Sequence, residues 1–113
     1  MSRKEKREYR KTVKKYQKQL MKFAKKWQPY DYGFMLEALS IMINGMKEYY
    51  SKGNCVMAGE YCEVFSEMKD HPTREQICNE LLTTLEVYDD MLENQYLDRF
   101  FDLLKKYIGE LWD

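Results

Sequence analysis

From Ser2 to Trp27 the chain contains neither proline nor glycine, and its apolar residues fall at Tyr9, Val13, Tyr16, Leu20, Phe23 and Trp27. Spacings of 4, 3, 4, 3 and 4 put all six on one seam of a helix, because residues three and four apart stand above one another on the same face. The positions between them are open to Lys and Arg. The first turns, rich in like charge and without an apolar anchor, are expected to fray. Nineteen basic and nineteen acidic residues cancel overall, yet residues 2–26 hold twelve Lys or Arg against two Glu. The balance is +10 there and −10 over residues 27–113. The chain reads as a basic rod joined to an acidic body.

Pro29 ends the rod, since the residue before a proline is pushed out of the helical region. Asp31 then offers a side-chain oxygen to the amides of Gly33 and Phe34 as a cap. Tyr30 and Met35, five residues apart, have the spacing of a hydrophobic staple. A second helix, about Tyr32 to Ser51, carries a wide apolar stripe through Met35, Leu36, Leu39, Met42, Ile43, Met46, Tyr49 and Tyr50. With Ala38, Ile41 and Gly45 on its flank, it is expected nearest the centre of the bundle. Lys52-Gly53-Asn54 reads as its stop.

A third helix is expected from Cys55 to about Lys69, with Ala58, Tyr61, Cys62, Phe65 and Met68 inward and an acidic rail of Glu60, Glu63, Glu67 and Asp70 outward. His71-Pro72 breaks it, and Thr73-Arg74-Glu75-Gln76 is a capping box. Ile77, Leu81, Leu85, Tyr88 and Leu92 repeat at helical spacing, and the pattern resumes at Leu97, Phe100, Phe101, Leu104, Ile108 and Leu111. An uninterrupted rod would leave one half with little to pack against, so a break is expected between Glu93 and Tyr96. No segment alternates strictly between apolar and polar. The expectation is an all-α fold, a small helical bundle of four or five helices, forming one domain over residues 1–113 with 1–27 as a basic amphipathic helix and 31–113 as the acidic body.

At 113 residues a core without staples is feasible. Cys55, Cys62 and Cys78 form an odd set with no Cys-x-x-Cys pair, which points to core packing and a reducing, cytoplasmic setting. No run is apolar enough to span a membrane, and no apolar signal core follows the basic start.

Together, the tract Pro29-Tyr30-Asp31-Tyr32-Gly33-Phe34-Met35-Leu36-Glu37, the helices after it and the ending Leu111-Trp112-Asp113 resemble a loose family of small helical proteins encoded by tailed bacteriophages and prophages. The resemblance covers residues 27–113. One tryptophan stands where the family has two, and the basic leader is peculiar to this chain. The family brings no catalytic residues. What it implies is a setting: phage infection, a host cytoplasm, and proteins that bind or inhibit host machinery, as anti-CRISPR-like inhibitors of host defence do.

Residues that carry chemistry are scarce. His71 is the only histidine, so the paired Glu-x-x-His ligands of a carboxylate-bridged di-iron bundle are out of reach. The cysteines lack zinc spacing, and no Gly-rich phosphate loop occurs. No catalytic residue, metal or cofactor is expected. The charged faces remain. Arg7, Arg10, Lys11, Lys14, Lys18, Lys22 and Lys25 can meet nucleic-acid phosphates, an acidic protein or only the acidic body and solvent. The rail Glu60, Glu63, Glu67 and Asp70 suits a basic partner. Trp27, Tyr30, Tyr32 and Trp112 make either a recognition patch or a packed lid. The expected function is non-enzymatic binding of a host protein or ribonucleoprotein by occlusion, with nucleic-acid binding through the first helix as the alternative.

Overall fold

The structure, a computed structural model, describes residues 2–51 and 73–111. Four α-helices occur among these residues: α1 (Arg3–Lys26), α2 (Gly33–Ser51), α3 (Arg74–Met91) and α4 (Asn94–Tyr107), closed by a 3-10 turn at Ile108–Glu110. The all-α class and the small helical bundle follow the sequence pattern. The helix expected over Cys55–Lys69, its acidic rail, Gly53, His71 and Trp112 lie outside the described residues.

Contrary to the expected fraying, α1 is tied at its start. The Ser2 hydroxyl accepts from the Glu5 amide at 3.1 Å, and the Glu5 carboxylate accepts from the Ser2 amide at 2.8 Å. This capping box satisfies two donors that the helix itself leaves unpaired. At the other end Lys25 and Lys26 complement the helix dipole before Trp27 turns extended.

The corner follows the sequence with two corrections. The Asp31 carboxylate accepts from the Gly33 amide at 2.8 Å, whereas the Phe34 amide donates to the Asp31 backbone carbonyl at 3.2 Å. Tyr30 meets Phe34, not Met35, edge-on with ring centroids 6.4 Å apart. A one-residue change of partner turns the contact toward α1, where Phe34 also meets Phe23 at 6.1 Å. Met35 is left exposed.

The helices are chained in order, α1 on α2, α2 on α3 and α3 on α4. Along the first contact Tyr9 packs edge-on against Tyr49 at 5.8 Å. A Cβ on Gly45 would lie 3.2 Å from the Tyr16 ring. The small residue thus admits an aromatic side chain and not a neighbouring backbone.

The centre of the fold is α3, not α2. Seven residues of α3 are buried, and of these Ile77, Cys78, Leu81 and Leu85 pack with Ile43 and Tyr50 from α2. Phe100 and Tyr107 of α4 complete one cluster with them, each large side chain contributing roughly 1.5–3 kcal/mol on burial. The capping box of α3 is formed as expected, with the Thr73 hydroxyl accepting from the Gln76 amide at 3.1 Å. Arg74, buried beside it, donates from Nε to the Glu110 carbonyl at 2.6 Å and lies over the Tyr50 ring.

The break between α3 and α4 comes slightly earlier than the expected span from Glu93 to Tyr96. Leu92 takes the left-handed conformation, φ 53°, and its amide donates to the Tyr88 carbonyl at 2.7 Å. That conformation ends α3 and leaves Leu92 exposed, outside the core assigned to it by spacing. Phe101 and Ile108 are also exposed, because α4 buries only the stripe of Phe100 and Tyr107.

Candidate functional site

At 100° per residue, Arg7, Arg10, Lys11, Lys14, Lys18, Lys22 and Lys25 fall within roughly 120° of the α1 circumference and run about 27 Å along its axis. All seven are exposed. They lie opposite the buried Thr12 and Phe23, so the helix docks on α2 with one face and presents cations with the other. No ion pair joins any of the seven to a described residue. The charges of α1 that are paired sit at the margins of its contact with α2. Lys26 meets Glu37 at 2.6 Å and Lys15 meets Glu48 at 3.1 Å. The hydrogen bond from Lys15 to Glu48, aided by the field of the carboxylate, raises the lysine's pKa. The second Glu48 carboxylate oxygen is buried without a partner.

The seam rings are engaged. Tyr9 is against Tyr49, Tyr16 over Gly45 and Phe23 against Phe34. Tyr16 and Phe23 are thereby withdrawn from stacking on nucleic-acid bases, whereas Tyr9 stays 41% exposed. Met21, 65% exposed, is an apolar side chain within the cationic stripe.

The stripe leads to the aromatic corner. Trp27, Tyr30 and Tyr32 are 49%, 79% and 59% exposed, an open patch and not a packed lid. Tyr32 is held all the same, for its hydroxyl shares a 2.6 Å hydrogen bond with that of Tyr88 on α3. This bond, together with burial, raises the Tyr88 phenol above its ordinary pKa. The bond also shows that the start of α2 lies beside the end of α3, so Leu92 joins the same end of the molecule.

A groove of about 780 Å³ runs between α2 and α3, and sequence reasoning missed it. Its α2 wall is a polar row, Glu37, Ser40, Asn44 and Lys47, at spacings of 3, 4 and 3, and Asn79, Thr83 and Glu86 form the facing row. Such a row of small polar residues on an otherwise apolar helix was the available signal. Only the pairing of α2 with α3 makes the rows converge. Leu36, Leu82 and Leu85 supply the apolar part of the lining.

No cluster of three or more metal-ligating side chains occurs among the described residues. Cys78 is buried, which pushes its thiol up to about 12 and keeps it from acting as a thiolate. No described helix is long and apolar enough to cross a membrane. No protein family, curated protein or solved structure matches the chain.

Proposed function

We propose that this chain is a non-enzymatic binding protein acting by occlusion, laying the cationic face of α1 on an acidic surface while the bulk of the bundle blocks access. One observation carries the reading: seven exposed cations lie directly opposite the docked seam. A partner can therefore use all of them without competing with the fold. Trp27 and Tyr30 extend the stripe with aromatic anchors of the kind that dominate interface energetics. The resemblance to phage-encoded helical proteins suggests the setting, a host protein or ribonucleoprotein of a defence system as target, within the host cytoplasm.

The engaged rings favour a particular form of the second reading. With Tyr16 and Phe23 packed on α2, nucleic acid would be held along the stripe by its phosphates, with stacking left mainly to the exposed Trp27 and Tyr30 at its end, so a duplex suits the length of the stripe better than a single strand. Charge reversal of Lys14, Lys18 and Lys22 to Glu tests both. For the occlusion reading, wild type should retain an acidic host protein that the variant loses at unchanged helicity; retention by both would sink it. For the second, anisotropy of labelled duplex should show binding that weakens steeply with salt, the salt slope falling by about one for each phosphate contact removed.

A further inference from the structure

We propose that the groove between α2 and α3 is a second docking site, for a protein segment in which arginine or lysine alternates with leucine-like residues. It is independent of the cationic face and opposite to it in charge. Asp31, Glu37, Glu86 and Asp89 line the groove, and Lys47 is the only cation among its described lining residues. Lys47 donates to the Asn79 side-chain carbonyl at 2.9 Å and keeps its charge, which offsets only one of the four carboxylates. Glu37 is paired with Lys26 at its rim, whereas Glu86 and Asp89 form no ion pair with a described residue. The half-buried Leu36 and Leu82 lie among these carboxylates, with Leu85 buried beneath them, and the exposed Leu92 is also part of the lining.

An apolar strip edged by unpaired carboxylates is complementary to an amphipathic cationic segment. Buried side chains supply affinity, and the charges fix register and exclude acidic competitors. The volume lies within the range of preformed ligand clefts, roughly 300–1,000 Å³. The chain's own basic helix does not fill this role, since its seam is spent on α2 and only Lys26 reaches a groove carboxylate.

The test is a titration of the isotope-labelled full chain, followed by amide NMR shifts, with a blocked octapeptide alternating arginine and leucine. Octa-arginine and a glutamate–leucine octapeptide serve as controls. Shifts should cluster around Tyr32, Leu36, Leu82 and Tyr88, with affinity at least about tenfold above that of octa-arginine and no binding of the glutamate peptide. The double variant Glu86→Lys, Asp89→Lys should weaken binding about tenfold or more. Asn44→Arg, which adds a cation to the groove and leaves every carboxylate in place, should do the same if the double variant fails to fold. Equal affinity for octa-arginine, shifts spread over Asp98 and Asp102 of α4, or binding unchanged in a folded variant would overturn the proposal. So would sedimentation showing that the groove is filled by α1 of a second copy.

Discussion

α1 is longer than α3, 24 residues against 18, yet the two are held by different means. Seven residues of α3 are buried, between two neighbouring helices, whereas α1 buries Thr12 and Phe23 and rests on α2 through spaced ring contacts and two marginal ion pairs. The first is a core member and the second an appended surface. A helix held at a few points along one side keeps its remaining circumference solvated, which is how a single segment can carry so much charge without unsatisfied burial. Lys26–Glu37 contributes little by itself, because solvent screens it, and the gain from Lys15–Glu48 is offset by the buried, unpartnered second oxygen of Glu48.

The contrast can be tested by attacking each region in turn. The largest effect is expected from Phe100→Ala, which empties the fully buried position beside α3 and should cost about 3–5 kcal/mol in denaturant unfolding. A loss near zero would mean that the α3–α4 contact is not the centre of stability. Gly45→Leu attacks the other region. Its Cβ would already be 3.2 Å from the Tyr16 ring, and the larger side chain should displace α1 at a cost of about 1–3 kcal/mol. Amide exchange should then accelerate along α1 and remain slow in α3. Equal loss of protection in both helices would abolish the distinction. The smallest effect is a gain. Leu92 stands at φ 53° without burial, so Leu92→Gly should stabilise the chain by about 0.5–1 kcal/mol, read as a raised melting temperature.

Much of this was legible in the sequence because it is local. The 4-3-4 seam of α1, the Asp31 cap on Gly33, the Thr73–Gln76 box and the inward row of Ile77, Leu81, Leu85 and Tyr88 depend only on neighbours one or two turns away. The Ser2–Glu5 box was equally local and was passed over because the charge around it suggested fraying. What escaped was tertiary. Thr12 is buried because the contact of α1 lies to one side of its apolar seam, which a count of apolar residues does not register. Arg74 is buried because a carbonyl 36 residues later and the Tyr50 ring receive it. Tyr30 selects Phe34 over Met35 because Phe34 is already anchored by Phe23. The cationic face was readable as a helical stripe, whereas the groove needed two helices side by side before its polar rows meant anything.

The bond from Arg74 to the Glu110 carbonyl has a kinetic corollary. It closes α3, α4 and the final 3-10 turn into one helical hairpin, and α1 with α2 forms another, each joined by a short connection that costs little loop-closure entropy. The contact of α2 with α3 is what joins the two hairpins. A ribosome delivers the chain from the amino end, so α1 and its seat on α2 emerge ahead of the α3 core on which α2 packs.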